Sequence, residues 1–244
     1  MIKQAIIPLA GQGTRLLPLT SVFPKELLPI NGKPAIEYIL DECIKSGIEE
    51  IILIISKRKN IIKKYFYNDV FYKNLIKKNK NDKKLKFEYS KIKKYRKMIK
   101  FVYQNSPRGT GDAVLKCKNL IKSKYFLMLM PDDLIINSNC SASLVKLHNR
   151  YKSPIIASKK VNKKDVSRWG IFDIKKINKK DFIIKDVIEK PSIKFAPSNY
   201  AVIGRYVLPK IISALISLIR ADCGTALTEP SVPTGIKIGV SITP

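Results

Sequence analysis

Apolar residues occur along the chain in two alternating patterns, short unbroken runs and longer segments with helical spacing. An unbroken run is typical of a strand buried on both faces, and helical spacing is typical of an amphipathic helix. The runs predict strands at residues 4–8, 51–55, 101–104, 125–130 and 155–157. The spaced segments predict helices over residues 36–44, 61–67, 111–120 and 144–147.

This alternation predicts an α/β fold with a Rossmann-like, doubly wound, mixed but mainly parallel sheet and right-handed crossovers. Pro34 and Gly47 mark the beginning and the end of the first helix. The basic stretch 68–98 has no clean period, and we interpret it as a helical excursion plus a loop outside the core. Beyond Trp169 the pattern becomes strand-rich, at residues 170–174 and 182–184.

A glycine-rich turn, Gly11-Gln12-Gly13-Thr14-Arg15, directly follows the first predicted strand. Glycine has no Cβ, so backbone N–H groups in such a turn can approach a phosphate chain closely. Arg15 and Lys25 add two cations. A dinucleotide fingerprint requires a third glycine where Leu16 stands, and a P-loop requires a Gly-Lys-Ser/Thr ending. The turn therefore suits a nucleoside triphosphate, with a plain structural turn as the alternative.

Polar residues follow other predicted strands at the same edge of the sheet. Gln104 ends one strand, and Asp132 and Asp133 end another. Ligands bind at the carboxyl ends of strands in such sheets. A carboxylate at the end of an apolar strand is costly unless it is paired, and Mg²⁺ with phosphate oxygens is a natural partner. A pair of aspartates that caps a loop is the alternative. The set as a whole is typical of nucleotidyl or phosphoryl transfer.

Composition limits the possible partners and the compartment. The 244 residues are 45% hydrophobic and carry a net charge of +28. Lysines are scattered with isoleucine and asparagine, as in Lys57-Arg58-Lys59-Asn60, which we attribute to an AT-rich genome and to solvated surfaces. Nucleic-acid binding is the outside alternative. No signal sequence or run of about 20 apolar residues is visible, so we expect a cytoplasmic protein without membrane contact.

Cysteine and histidine offer no metal site. The four cysteines are widely separated, and Cys43 and Cys117 fall in helical patterns as small buried residues. His148, the only histidine, has no partner nearby in sequence, so we predict a structural role for it.

Two motifs resemble the signature of the sugar-nucleotide pyrophosphorylases. These are Gly11-Gln12-Gly13-Thr14-Arg15 and Pro24-Lys25-Glu26-Leu27-Leu28-Pro29 followed by Lys33-Pro34. Other segments are similar to the bacterial UTP–glucose-1-phosphate uridylyltransferases, and the similarity runs in order over residues 2–208. These segments are Asp41-Glu42-Cys43-Ile44, residues 104–111, Met130-Pro131-Asp132-Asp133, Glu189-Lys190-Pro191 and residues 198–208.

The resemblance implies a nucleotide-diphospho-sugar transferase fold and a role for each site residue. Ala10, Gly11, Gln104 and Gly109 would bind uracil, and Gly13 and Thr14 would belong to the nucleotide loop. Arg15 and Lys25 would act on the triphosphate, and Asp132 would hold Mg²⁺. Gly170, Glu189 and Lys190 would bind glucose 1-phosphate. The resemblance also implies a homo-oligomer if the C-terminus is intact. For Glu189-Lys190-Pro191, a plain strand exit is the alternative.

The chain departs from that family in two places. Asp112 stands where many relatives are expected to have histidine. After Leu208 the similarity fades, and from residue 222 to residue 244 the lysine, isoleucine and asparagine bias nearly vanishes. We therefore predict a catalytic domain at 1–208 and a divergent tail at 209–244 that is frameshifted or truncated and lacks the second Mg²⁺ ligand.

Three further alternatives stay open at the level of the sequence. The chain could transfer a thymidylyl or other nucleotidyl group to a different sugar phosphate. It could be a nucleotide-binding protein that lost catalysis through its tail, or a nucleic-acid-binding protein.

Overall fold

The computed structural model describes residues 1–106, 108–178, 181–212 and 237–241. Within them the strands are β1 Gln4–Pro8, β2 Pro29–Ile30, β3 Lys33–Pro34, β4 Glu50–Ile55, β5 Ile99–Tyr103, β6 Tyr125–Leu129, β7 Ile155–Lys160, β8 Gly170–Lys176, β9 Asp181–Glu189, β10 Tyr200–Pro209 and β11 Lys237–Ser241. The α-helices are α1 Ala35–Lys45, α2 Asn60–Tyr67, α3 Asp69–Lys78, α4 Lys83–Met98, α5 Thr110–Lys116 and α6 Cys140–Tyr151. Short 3₁₀ turns include Thr14–Leu16, Lys25–Leu27 and Lys57–Lys59.

The described strands form a nine-stranded sheet in the order β5-β4-β1-β6-β10-β7-β11-β9-β8 and a separate β2–β3 hairpin. In the large sheet β9 and β10 run against the other strands. The predicted α/β, Rossmann-like, mixed but mainly parallel sheet is therefore confirmed. Its parallel half, β5-β4-β1-β6, contains the strands whose ends carry Gln104, the glycine loop and Asp132.

Alternate residues of the parallel strands face two separate apolar layers. Ile51, Leu53 and Ile55 of β4 belong to one cluster, whereas Ile52 and Ile54 belong to the other. This division follows from the two-residue side-chain period of a strand. Helices on both faces explain why these strands are apolar at every position, and the free energy of burial stabilises the sheet that carries the site.

The basic stretch 68–98 was wrongly placed outside the core. It forms helices α3 and α4, and the α4 residues Tyr89, Ile92 and Tyr95 are buried. Ile92 and Tyr95 join the cluster on one face of the sheet. Lysines separate these positions in the sequence, so the apolar stripe is narrow and the periodicity is easily missed.

The structure also tests the predictions for the cysteines, for His148 and for the start of the first helix. Cys43, Cys117 and His148 are buried, and the His148 Nδ1 atom lies 2.9 Å from the Ser153 carbonyl oxygen. The first helix begins at Ala35, with Pro34 as its N-cap and not as its first residue. No helix in the described ranges combines the length and the apolar character needed to cross a bilayer.

The predicted tail is described only in part. Pro209 ends β10, and residues 237–241 form β11 between β7 and β9. Residues 213–236 and 242–244 lie outside the described residues, and so do most of the positions on which the frameshift hypothesis rests.

Candidate active site

A cleft of about 210 Å³ opens between the carboxyl ends of β1, β5 and β6. Its walls come from the glycine loop, the Lys25 turn, the start of α5 and the segment after β6. The lining residues are Pro8, Ala10, Gly11, Lys25, Glu26, Gln104, Gly109, Thr110, Ala113, Met130, Pro131 and Asp132. Six of the residues predicted from the sequence, Ala10, Gly11, Lys25, Gln104, Gly109 and Asp132, therefore line one cleft.

The glycine loop that follows β1 contains one residue, Gly13, in the left-handed backbone conformation. Gly13 has a φ of 72°, a value that favours glycine over residues with a Cβ. Its carbonyl oxygen accepts hydrogen bonds from the Leu16 N–H at 3.0 Å and from the Thr20 hydroxyl at 2.8 Å. The loop is thereby held in a tight turn. Thr14 and Arg15 are exposed on it, and the Arg15 side chain makes no hydrogen bond or ion pair with any described residue.

Lys25 faces Asp132 across the cleft. The Lys25 Nζ atom lies 3.3 Å from the Asp132 Oδ2 atom, and the Asp132 side chain is 55% exposed. The two groups come from the turn after the glycine loop and from the end of β6. A cation and a carboxylate of this kind can receive a phosphate group and its counter-ion between them.

A buried lysine that sequence reasoning missed holds the first wall of the cleft. Lys59 Nζ donates to the Leu9 carbonyl oxygen at 2.7 Å and to the two Glu26 carboxylate oxygens at 2.8 and 2.9 Å. Burial lowers the pKa of Lys59, and Glu26 opposes that shift. The interpretation of residues 57–60 as a solvated basic run is thus wrong for Lys59. Its position just after an apolar strand was the available signal.

Arg205 holds the second wall in the same way. Its guanidinium is fully buried and donates to the Met130 carbonyl oxygen at 3.0 Å and to the Asp133 carbonyl oxygen at 2.7 Å. It also forms an ion pair with Glu42, with Nη2 2.9 Å from Oε2. These bonds fix the backbone on both sides of Asp132. The sequence placed Arg205 in a family motif without assigning it a contact.

The two aspartates after β6 have different environments. Asp133 Oδ2 accepts a hydrogen bond from the Gly204 N–H at 2.7 Å. A Cβ on Gly204 would lie 2.4 Å from the Met130 Cβ, so only glycine allows this close approach. Asp133 is thus engaged with the backbone of β10, whereas Asp132 lines the cleft.

The chemistry of Asp132 fits a magnesium ion, which takes one or two carboxylates and completes its shell with phosphate oxygens and water. Asp132 is a hard oxygen donor, half exposed, and lines a cleft in which the Lys25 ammonium lies 3.3 Å from it. Among the described residues there is no group of three or more His, Cys, Asp or Glu that could enclose a metal ion. A site here would therefore depend on substrate oxygens.

The residues predicted to bind the sugar lie at the other half of the sheet. Gly170 of β8 pairs with Glu189 of β9, and an added Cβ on Gly170 would lie 3.1 Å from Glu189 Oε2. Lys190 follows with a φ of 46°, and its Nζ is 3.6 Å from Glu189 Oε1. A left-handed non-glycine residue is strained, and such strain is common at functional sites. None of the three lines the first cleft.

A second cleft adjoins the first at Asp132. It is lined by Asp132, Asp133, Trp169 and residues of β10, together with residues 134–138. Asp132 is shared with the first cleft, and Trp169 precedes Gly170 directly. Burial raises the pKa of Tyr206 to about 12, and the carboxylates of Asp133, Asp132 and Glu189 add to this.

Comparison with known proteins identifies the family. A model of the nucleotidyl transferase family matches residues 4–222. The chain belongs to the nucleotidyl transferase family. This confirms the resemblance seen in the sequence and makes the cleft at β1, β5 and β6 the candidate active site of a nucleotidyltransferase.

Individual nucleotidyltransferases are similar over most of the chain. A UTP–glucose-1-phosphate uridylyltransferase from Streptococcus pyogenes is 39% identical over 223 residues, which are 88% of this chain and 72% of that protein. The UTP-bound UGPase of Acinetobacter baumannii is 28% identical with a TM-score of 0.84, over 99% of this chain and 86% of that one. A UDP-glucose pyrophosphorylase complexed with UDP-glucose is 27% identical with a TM-score of 0.74, over 100% of this chain and 91% of that one.

Proposed function

We propose that this nucleotidyltransferase transfers a uridylyl group from UTP to glucose 1-phosphate and releases pyrophosphate. The observation that carries the proposal is the placement of Lys25 and Asp132 face to face in a cleft that the glycine loop and Gln104 also line. Relatives named for this activity, and similar structures bound to UTP and to UDP-glucose, support the choice of substrates.

The proposed reaction is a single in-line displacement at phosphorus. A phosphate oxygen of glucose 1-phosphate attacks the α-phosphorus of UTP and forms the new P–O bond. The bond from the α-phosphorus to the bridging oxygen breaks, and its electron pair leaves with pyrophosphate. Such reactions depend on positioning and on stabilisation of charge, so a covalent enzyme intermediate is not required.

We assign to each residue the role that the family resemblance implies, and the placement of Ala10, Gly11, Lys25, Gln104, Gly109 and Asp132 in one cleft supports it. Ala10, Gly11, Gln104 and Gly109 hold the uracil, Gly13 and Thr14 belong to the loop around the phosphates, and Arg15 and Lys25 stabilise the negative charge on the triphosphate and on the departing pyrophosphate. Asp132 would hold Mg²⁺, which when bound neutralises phosphate charge. Gly170 approaches the sugar, Glu189 accepts hydrogen bonds from its hydroxyls, and Lys190 binds its phosphate. Glu189 is exposed in this structure; in a complex that covers it, a hexose without the matching hydroxyl would leave the carboxylate unsatisfied, which is how it would select among hexoses.

We also propose a cytoplasmic location. The cysteines Cys43, Cys117 and Cys140 are free thiols, which is the usual state in a reducing compartment. The homo-oligomer implied by the resemblance stays a prediction.

The experiment that tests the proposed function measures pyrophosphate release with UTP, dTTP, CTP and ATP. Each nucleotide is paired with glucose 1-phosphate and with galactose 1-phosphate, with and without Mg²⁺. We expect release that requires Mg²⁺, prefers UTP and glucose 1-phosphate, and is lost in Asp132→Ala. Asp165→Ala is the matched control, because Asp165 lies in the 3₁₀ turn Lys163–Arg168 and not in either cleft.

Three results would contradict the proposal. A preference for dTTP would make the chain a thymidylyltransferase, and UTP binding without turnover would indicate a nucleotide-binding protein without catalysis. Retention on generic DNA that depends on salt and is unaffected by UTP would favour nucleic-acid binding.

A further inference from the structure

Gln104 and Asp112 form a buried hydrogen-bonded pair at the wall of the first cleft. The Gln104 Nε2 group donates to the Asp112 Oδ2 atom, and the two residues are 3% and 4% exposed. Gln104 stands at the end of β5, where its backbone N–H donates to the Ile55 carbonyl oxygen at 2.9 Å. Asp112 lies in the first turn of α5. The pair therefore joins two elements that both line the cleft.

The hydrogen bond to Asp112 decides which end of the Gln104 amide faces the cleft. An ionised carboxylate only accepts hydrogen bonds, so it attracts the NH₂ end of an amide and repels the oxygen end. With Nε2 held by Asp112, the Oε1 atom is the end left for a ligand. In the described part of the chain Oε1 has no protein partner, and Gln104 lines the cleft beside Ala10 and Gly109. The wall thus presents an acceptor at this point.

We propose that Asp112 is a specificity-determining residue that fixes Gln104 as an acceptor and so selects bases with a ring N–H donor. Uracil and thymine carry a proton on N3, which can donate to Oε1. Cytosine carries a lone pair on N3 and would place it against the lone pairs of Oε1. A mismatched buried polar group remains unpaired, and this is how a polar site rejects a close analogue. Asp112 acts through Gln104 and is not itself required to touch the base.

The inference rests on the proposed function only in taking this cleft as the base pocket. It goes further, because it states which residue decides between UTP and CTP in this chain. Asp112 stands where the resemblance led us to expect histidine. A neutral imidazole can either donate or accept through its ring nitrogens, whereas a carboxylate sets one orientation alone.

The test compares UTP with CTP in wild type, Asp112→Asn, Gln104→Ala and the double variant. The readouts are kcat/KM for pyrophosphate release with glucose 1-phosphate, and the Kd of each nucleotide in the absence of sugar phosphate. We expect the UTP-to-CTP ratio to fall at least tenfold in Asp112→Asn, because an amide at this position lets Gln104 turn its NH₂ group toward the base. In the Gln104→Ala background the Asp112→Asn change should leave the ratio unaltered, since the residue acts through Gln104.

The controls separate specificity from folding. The ratio of two nucleotides measured on one preparation does not depend on the fraction of folded protein. Asp181→Asn removes another buried carboxylate, one that accepts from the Tyr151 hydroxyl and from Asn178, and it should keep the wild-type ratio. Asp112→Glu keeps a carboxyl group, so its UTP-to-CTP ratio should stay closer to the wild-type value than that of Asp112→Asn.

The outcomes distinguish this inference from the proposed function. A wild-type ratio in Asp112→Asn, or an equal effect of Asp112→Asn with and without Gln104, would overturn the inference and leave uridylyl transfer intact. A wild-type chain that binds UTP more tightly than CTP but releases no pyrophosphate would contradict the proposed function, and the Kd ratios would still decide the role of Asp112. Equal wild-type affinity for UTP and CTP would overturn the inference directly.

Discussion

Two buried cations hold the strand ends on either side of the cleft. Lys59 binds the Leu9 carbonyl oxygen at the end of β1, and Arg205 binds the Met130 carbonyl oxygen at the end of β6. Each is paired with a buried glutamate, Glu26 or Glu42. A buried charge is costly unless it is paired and hydrogen-bonded. Lys59 and Arg205 therefore favour the conformation in which the glutamates and the carbonyl oxygens beside the cleft accept their hydrogen bonds.

At the same scale, Lys25 is expected to contribute to catalysis and little to stability. In Lys25→Ala we expect kcat/KM for UTP to fall about 10²- to 10³-fold, the usual range for loss of one group that stabilises transition-state charge. The free energy of unfolding should change by less than about 1 kcal/mol, because its partner Asp132 is 55% exposed. Steady-state kinetics and urea unfolding measure the two effects. Lys3→Ala, which breaks the exposed pair with Glu49, is the control, and an equal loss of activity there would contradict the assignment.

Tyr206 provides a prediction for alkaline pH. Burial, with help from nearby carboxylates, raises its pKa to about 12 in the folded protein, against about 10 in an unfolded chain. Between these values the unfolded state binds fewer protons, so the free energy of unfolding falls as pH rises from about 10 to about 12.

Tyr206→Phe has no phenol to ionise and therefore lacks this pH-dependent loss of unfolding free energy. Relative to wild type, the variant should gain up to about 1.4 kcal/mol of unfolding free energy per pH unit in that window. Urea unfolding at about pH 9 and about pH 11 checks this, with the exposed Tyr103→Phe as control. A difference between wild type and Tyr206→Phe that is the same at both pH values would refute it.

At the scale of elements, one ion pair ties α1 to β10 and to the segment after β6. Glu42 accepts from Arg205 and from the Ser141 hydroxyl at 2.6 Å, so it also contacts the start of α6. Three elements, α1, β10 and α6, therefore meet at one buried carboxylate, and Arg205 connects it to the segment that carries Asp132.

Removal of that carboxylate should be strongly destabilising. Glu42→Ala leaves the Arg205 guanidinium buried without its partner, and we expect a loss of about 3–5 kcal/mol in the free energy of unfolding. The double variant Glu42→Ala/Arg205→Met should recover much of the stability but not kcat/KM, because the carbonyl groups beside Asp132 are no longer held. Chemical denaturation measures the stability, and steady-state kinetics measures kcat/KM.

Glu49→Ala, which removes an exposed ion pair, is the control and should cost less than about 1 kcal/mol of unfolding free energy. A similar loss in Glu42→Ala and Glu49→Ala would refute the structural role of Glu42.

At the scale of the whole molecule, the sheet continues past the parallel half through strands that are distant in sequence. β11 lies between β7 and β9, with Gly239 paired with Ile156 on one side and with Phe182 on the other. These neighbours connect the candidate nucleotide half to the β8–β9 pair that carries Gly170 and Glu189.

Gly239→Pro tests this position. Proline removes a backbone N–H and fits poorly inside a sheet, so we expect a loss of unfolding free energy of the order of 3 kcal/mol. Gly239→Ala keeps the N–H and should cost much less. Thermal unfolding and hydrogen exchange of the β9 amides are the measurements. No effect of Gly239→Pro would show that residues 237–241 do not pair in the sheet and would favour the hypothesis of an aberrant tail.

Local patterns explain how much of the fold could be predicted. The strand at Gln4–Pro8 was predicted at its observed bounds, since an apolar run needs only its own residues to indicate a buried strand. The core role of α4 was missed, because its buried residues are set among lysines and their burial depends on what packs over them. Lys59 was missed for the same reason: burial of a charge depends on a partner elsewhere in the chain.

The sequence by itself determined the α/β class, the family, and the strand ends at which Gly11, Gln104 and Asp132 stand. These follow from periodicity and from motifs whose residues are close in sequence. Only the tertiary structure decided that Arg205 meets Glu42 across 163 positions and that Lys59 meets Glu26. It also decided that the Gln104 amide donates a hydrogen bond to Asp112. Such contacts join residues that are far apart in the sequence. They form only when the sheet packs the elements together, so a local sequence pattern does not predict them.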